Sequence, residues 1–402
     1  MTTLAQTATP WRDDASVIGL VGLAHASSHF SHLLLPLMFP VFIKTFGLSY
    51  SELGFLMSVF FVVSGMGQAS AGFVVDRFGA RPVMFASLLM LALACMVASV
   101  AQSYAGLMVA AAMLGLGNCS FHPVDFTILN QKVSPPRLGY AFSAHGLTGN
   151  LGWAVAPVFM VGLSTLLDWR AAYVGAGLVF LGIFLLLVWQ RDALQTQATH
   201  HKQEAGGEHT LAFLKIPVVW WCFGFFLLST MTLAVVQSFA VSILQAMHSV
   251  TFEAATMTLT AYMLSAALGM LVGGFVAARW PRQSDKVVAS CMTVAALFMA
   301  LCGSGWLDAN ATMVILAATG LAIGIGGPSR DMMIKKATPK GATGRVYGMV
   351  YSGLDVGFAI SPLIFGVFMD HGWYGATLLG AALVLLMSVG VALGVGRRTV
   401  HG

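Results

Sequence analysis

The sequence predicts an all-α integral membrane protein of twelve transmembrane helices, arranged as two six-helix halves that repeat one another. Three observations predict this: a composition too apolar for water, twelve apolar runs of spanning length, and a register in which the second half echoes the first. Of 402 residues, 58% are apolar and 9% charged, against roughly 25% charged in an ordinary soluble domain. A spanning helix needs about 20 apolar residues at 1.5 Å rise. A dozen of them use about 240 residues and leave short loops.

The first run, 16–42, follows a polar segment ending in Arg12-Asp13-Asp14. That segment has no early apolar region and reads as a cytoplasmic tail, not a signal peptide. Lys44 parts the first run from the second, 53–75, and the turn from Asp76 to Pro82 leads into the third, 82–101. The fourth, 106–131, and the fifth, 141–166, flank Lys132 and Arg137, and the sixth, 171–190, begins after Arg170. Arg191 to Lys215 is the longest hydrophilic stretch and carries His200, His201 and His209. A His-rich tract can bind metal, but a solvated linker between halves is the better reading. The seventh to tenth runs are 217–244, 254–277, 287–305 and 311–334, with Arg279, Arg282 and Lys286 ahead of the ninth. Lys335, Lys336, Lys340 and Arg345 precede the eleventh, 346–369, and the twelfth, 374–395, ends at Arg397 and Arg398. The organisation expected is a tail (1–15), a bundle (16–190), a linker (191–216), a second bundle (217–395) and a tail (396–402).

Charge fixes the orientation. With the N-terminus in the cytoplasm, 17 of the 20 Lys and Arg fall in cytoplasmic segments, Lys44 and Arg170 fall on the other side, and Arg330 falls inside a span. Positive residues are retained inside, so both termini are expected in the cytoplasm and the chain in the inner or plasma membrane of the cell. The net charge of +5 then reports topology, and nothing points to nucleic acid. The five cysteines sit in apolar runs without CxxC or zinc-finger spacing, so no disulfide or structural metal is expected.

The halves repeat at an offset of 205. Pro123 maps to Pro328, Asn150 to Asp355, Gly152 to Gly357, Trp153 to Phe358 and Pro157 to Pro362. Parallel repeats of this kind mark secondary transporters.

Between the second and third runs stands Gly72-Phe73-Val74-Val75-Asp76-Arg77-Phe78-Gly79-Ala80-Arg81-Pro82. This closely resembles the G-x-x-x-D-R-x-G-x-R signature of the major facilitator superfamily, and the bland alternative is a tight basic turn. Glycines permit close helix approach, and an Asp–Arg set at the membrane edge forms charge-assisted bonds that break and reform as halves rock. The resemblance therefore implies the major facilitator fold and a cytoplasmic gate made of Gly72, Asp76, Arg77, Gly79 and Arg81. The second-half counterpart keeps Gly274 and Arg279 but has Ala278 in place of the Asp, so gating should lean on the first copy. Three segments are also similar to the fosmidomycin-resistance branch of exporters: the His-rich first run, Phe121-His122-Pro123, and the Gly/Asn-rich fifth run. Two exporter features depart from that pattern. Ala111 stands where many proton-driven exporters carry an Arg, and Gly152-x-x-x-Ala156-Pro157 is only a partial version of a fuller glycine series.

An ionisable side chain at the bilayer centre costs roughly 2.5–3.5 kcal/mol, which makes each one a functional candidate. His25, His29 and His32 share a face at i, i+4 and i+7. Histidine takes up a proton near pH 6.5, so a substrate or proton site leads, ahead of polar packing and of metal ligation. Metal suffers because no carboxylate neighbours these histidines in sequence. His122 and Asp125 lie three apart beside Pro123, and the alternative there is a His–Asp pair that merely fixes packing. Arg330 either faces an anionic solute or snorkels to the cytoplasm. Asp355 suits reversible proton carriage, or else pairs with Arg330, Asn150 or His145. With His145 and Asn150, these residues are the cavity candidates; Gln68, Asn118 and Gln237 are lesser ones.

No Walker-type phosphate loop is present, so an ion gradient or the solute gradient supplies the energy, with protons favoured. The leading expectation is proton-coupled export of a small, possibly anionic organic solute by alternating access, and uptake of a small carboxylate is the alternative. A membrane enzyme using His122 and Asp125 as acid and base is the rival class, a metal-ion transporter a weaker one, and a non-transporting sensor weaker still. No catalytic residue, cofactor or bound metal is expected, and no protein partner; the chain should act as a monomer on a small molecule and protons within the lipid bilayer.

Overall fold

The computed structural model describes residues 10–196, 215–337 and 343–399. Within them twelve helices are long and apolar enough to cross a membrane, and no strand occurs among the described residues. In chain order they are α1 (Trp11–His32) continued by α2 (Phe39–Phe46), α3 (Tyr50–Phe78), α4 (Ala80–Ser99), α5 (Tyr104–Asn118) continued by α6 (Phe121–Lys132), α7 (Leu138–Leu166) and α8 (Trp169–Trp189). The second half comprises α9 (Pro217–His248), α10 (Phe252–Arg279), α11 (Ser284–Gly303), α12 (Ala309–Ala337), α13 (Thr343–Asp370) and α14 (Tyr374–Thr399).

Two of the sequence runs are not single helices. The first breaks after His32 into a 3-10 turn over Pro36–Met38, because Pro36 and Pro40 lack the N–H that would continue the ladder. The phenol of Tyr173 takes up a freed carbonyl there, donating to Leu34 O at 2.8 Å. The fourth breaks at Cys119 and Ser120, ahead of Pro123. The first helix also starts at Trp11, earlier than the run from 16. Asp14, expected in a solvated tail, is instead fully buried and accepts from the Ser134 N–H at 3.3 Å, the Ser134 hydroxyl and Arg137 Nη1 at 2.8 Å. This carboxylate pins the start of α1 to the α6–α7 connection. Most of the 191–216 linker, with its three histidines, lies outside the described residues.

The halves meet along two seams, α3 against α13 and α7 against α10. The repeat offset relates them: Asn150 on α7 donates to Met270 Sδ on α10 at 3.0 Å, while its counterpart Asp355 on α13 accepts from Gln68 Nε2 on α3 at 3.3 Å. Both repeat-related polar residues therefore sit on a seam. The α3–α13 seam is tight along its length toward Asp370. Phe61 stacks on Phe358 at 4.3 Å, and Ser58 Oγ donates to Ala359 O at 2.6 Å. At the end, Asp370 accepts from the Tyr50 N–H at 2.6 Å, the Ser51 N–H at 3.0 Å and the Ser51 hydroxyl. A carboxylate on the exposed N–H groups of a helix start is a favourable charge placement, here reaching from one half to the other. Asp370→Ala is expected to remove about 1 kcal/mol from this closed seam, roughly a fivefold shift toward its open form, read by crosslinking of cysteines placed at Ser51 and Asp370 neighbours.

Candidate functional site

Small residues bring α1 and α7 together. A Cβ at Gly152 would strike the carbonyl oxygen of Ala26, and one at Gly22 would lie 3.0 Å from Thr148 Cγ2. Side chains that a looser crossing would hold apart therefore meet. A Cβ at Gly149 would come within 2.8 Å of His29 Cε1 and 3.0 Å of His25 Nε2, so Gly149 leaves the space that the imidazoles occupy.

The centre of the site is Asp125 on α6, fully buried. Its Oδ2 accepts from His25 Nδ1 and from His145 Nε2, each at 3.1 Å. The two imidazoles stack with centroids 3.5 Å apart. His122 closes the group, its ring 5.2 Å from that of His25 and 5.9 Å from that of His145. His29 lies 4.5 Å from His25, ring to ring. Two buried atoms here have no hydrogen-bond partner among the described residues: Asp125 Oδ1 and His29 Nδ1. The three residues His25, His122 and His145 present ligand-capable nitrogens that all lie within 4.8 Å of one another.

The alternative His122–Asp125 packing pair makes no hydrogen bond; the carboxylate is shared by His25 on α1 and His145 on α7 instead. His32 is wired differently from its helix neighbours. Its Nδ1 accepts from Trp153 Nε1 at 3.3 Å, and its Nε2 donates to Asn118 Oδ1 at 3.2 Å. Asn118 also accepts from Ser28 Oγ at 2.6 Å and donates to Ser64 Oγ at 3.0 Å. Both His32 nitrogens are thus committed to holding α1, α3, α5 and α7 together.

Outside this cluster the candidates spread apart. Arg330 Nε donates to Asp331 Oδ1 at 2.9 Å, and its guanidinium lies 5.0 Å from the Phe226 ring centroid. Asp355 pairs with none of Arg330, Asn150 or His145; Gln68 holds it, because the α3–α13 seam faces it. At the signature loop, Asp76 and Arg77 are exposed and form no ion pair among the described residues. Arg77 packs over the Phe78 ring at 5.3 Å, and Arg81 Nη1 donates to Arg191 O at 3.2 Å. Gly72 has open space where a Cβ would go, so close helix approach does not explain it here. Gly79, at φ 85° between α3 and α4, is needed for its left-handed backbone instead.

The sequence reading missed Trp153, Ser28 and Ser64, and on the other half Thr256, Thr260 and Tyr262. The last three, like Gln237, have buried polar atoms without a partner among the described residues. Hydroxyls in apolar helices carry little signal, although Trp153 stood in the repeat beside Gly152.

The family model described as Major Facilitator Superfamily matches residues 21–249 and 223–401. A probable L-galactonate transporter of Escherichia coli (strain K12) is 24% identical over 143 residues, 36% of this chain and 31% of that protein. The fosmidomycin resistance protein of the same organism is 23% identical over 154 residues, 38% of each chain. These alignments thus span about a third of the curated relatives. A solved bacterial homolog to the human lysosomal transporter Spinster, in an inward-facing and occupied conformation, superposes with a TM-score of 0.76 at 14% identity, covering 97% of this chain and 98% of that one. At that identity the likeness is one of fold.

Proposed function

The chain belongs to the major facilitator superfamily, and on that premise we propose that it is a secondary active transporter that exports a small organic anion in exchange for protons by alternating access. Family and transporter-named relatives set aside the membrane-enzyme reading. The observation that carries the proposal is the buried carboxylate of Asp125, shared by His25 and His145 and left with one unpartnered oxygen. A carboxylate and imidazoles in direct contact form a proton-exchanging unit, since each donor or acceptor role reverses when a proton arrives. A buried oxygen without a hydrogen-bond partner is costly, and a proton or solute group that completes it during the cycle would remove that cost.

The two seams are the surfaces on which the halves, 16–190 and 217–395, rock against one another. Asp370 latches them at one end, while Asp76, Arg77 and Arg81 form the gate at the other and are apart when that latch is made. Arg330 supplies positive charge for an anion, with Asp331 offsetting part of it. Export is favoured by the fosmidomycin resistance protein among the relatives. The protein is placed in the cell membrane as a single chain with cytoplasmic termini, in keeping with its basic loops.

Accumulation of a small organic anion in everted vesicles under an acid-inside gradient tests the direction. Accumulation only in intact cells would assign uptake instead. For the gate, Asp76→Asn and Arg77→Ala are each expected to lower the maximal rate about tenfold, the scale of one charge-assisted hydrogen bond, and to leave the solute KM unchanged. A defect confined to KM would remove both residues from the gate.

A further inference from the structure

We infer that His25, His122 and His145 form a binding site for a divalent cation of the zinc class, held in the interior of the first half. The inference concerns equilibrium binding and stands whether or not the cluster carries protons.

Three side chains from three different helices, α1, α6 and α7, converge with their ligand-capable nitrogens within 4.8 Å of one another. Asp125 orients two of them. Because its Oδ2 accepts from His25 Nδ1 and His145 Nε2, each of those nitrogens carries the hydrogen. The opposite nitrogens, His25 Nε2 and His145 Nδ1, are then lone pairs. A carboxylate that holds the far N–H of a ligating histidine fixes its tautomer and raises its basicity, the outer-shell arrangement common to imidazole metal sites. The absence of a carboxylate beside His25, His29 and His32 in sequence argued against metal there; in space Asp125 bonds to His25 and also to His145.

Three imidazoles that bring a ligand-capable nitrogen each within 4.8 Å of the others suit a cation shared between them. A zinc ion about 2.0–2.1 Å from each nitrogen sets tetrahedral neighbours about 3.4 Å apart, so ligation draws the three nitrogens together from a spacing of up to 4.8 Å. His29 Nδ1 is buried without a partner among the described residues, beside His25 and outside the trio. An imidazole set selects zinc, nickel or copper and is unsuited to magnesium or calcium, which require oxygen ligands.

The test uses full-length protein in detergent carrying His200→Ala, His201→Ala and His209→Ala, so that the linker histidines cannot bind the probe. Titration with Zn²⁺ is expected to load one ion per chain, and zinc-edge X-ray absorption should find at least three imidazole nitrogens at about 2.0–2.1 Å. Mg²⁺ should neither bind nor compete. His122→Ala is expected to weaken binding more than tenfold and Asp125→Asn about 10–100-fold, while His371→Ala changes nothing. Zinc that does not load, that shows fewer than three imidazoles, or that binds His122→Ala undiminished would overturn the inference. Should His122→Ala fail to fold, the absorption spectrum of the protein with all of its core histidines decides.

Discussion

Asp125→Asn is expected to abolish proton-driven accumulation of solute, with a loss of more than 100-fold, while the protein still folds and inserts. Asp125 Oδ2 accepts two hydrogen bonds at 3.1 Å in a fully buried setting. Bonds to a charged group contribute about 1.5–3 kcal/mol each against about 0.5–1.5 for neutral ones, so losing the charge weakens each bond by about 1–2 kcal/mol. Asparagine has nearly the same volume and keeps one oxygen acceptor, so α1, α6 and α7 remain packed. It offers no site that gains and loses a proton in the working range. The deficit should therefore fall on coupling: exchange of labelled solute across a membrane without a pH gradient should survive better than accumulation against one. Equal loss of both, in folded and inserted protein, would make Asp125 a solute contact instead.

The second large effect separates two glycines three residues apart on α7. Gly152→Ala is expected to destabilise the protein by about 2 kcal/mol net. Its methyl group would meet the carbonyl oxygen of Ala26, and backbone cannot step aside as a side chain does, so the cost reaches or exceeds the upper part of the about 1–3 kcal/mol range for overpacking. The helix-propensity gain of about 1 kcal/mol for replacing glycine offsets only part of it. Gly149→Ala meets imidazole atoms of His29 and His25 at 2.8–3.0 Å, which can swing. Here stability should change little, and transport should fall on the order of 10–100-fold, as for any ångström-scale misplacement of working groups. Thermal unfolding of the two purified variants, set beside their transport rates, checks the contrast. Reversal of the pattern would show that α1 and α7 are not in contact where the site requires it.

Much of the fold was legible because lipid imposes a simple rule: backbone polar groups must be satisfied within each helix, so long apolar runs can be little else. The breaks after His32 and at Cys119 were less visible. Proline marks them, but whether a helix kinks or stops depends on who satisfies the freed carbonyl, here the distant phenol of Tyr173. The site was partly legible for the same energetic reason, since ionisable residues do not enter apolar runs without cause. Sequence spacing placed His25, His29 and His32 on one face and His122 with Asp125 on another. It could not say that Asp125 would choose His25 and His145 across helices, nor that His32 would be committed to Asn118 and Trp153. Those choices follow from the crossing of α1 with α7, set by Gly22, Gly149 and Gly152, and a contact between helices has no local signature. Asp355 makes the same point: Gln68, 287 positions away, takes it because the seam puts α3 there.

In the proposed cycle, solute movement is tied to protons through Asp125. Proteoliposomes loaded with a pH-sensitive dye and challenged with small organic anions test it most directly, comparing the unaltered protein with Asp125→Asn. A solute-dependent pH change is expected in the first and none in the second. Solute movement with no proton flux, or an Asp125→Asn signal equal to that of the unaltered protein, would contradict it.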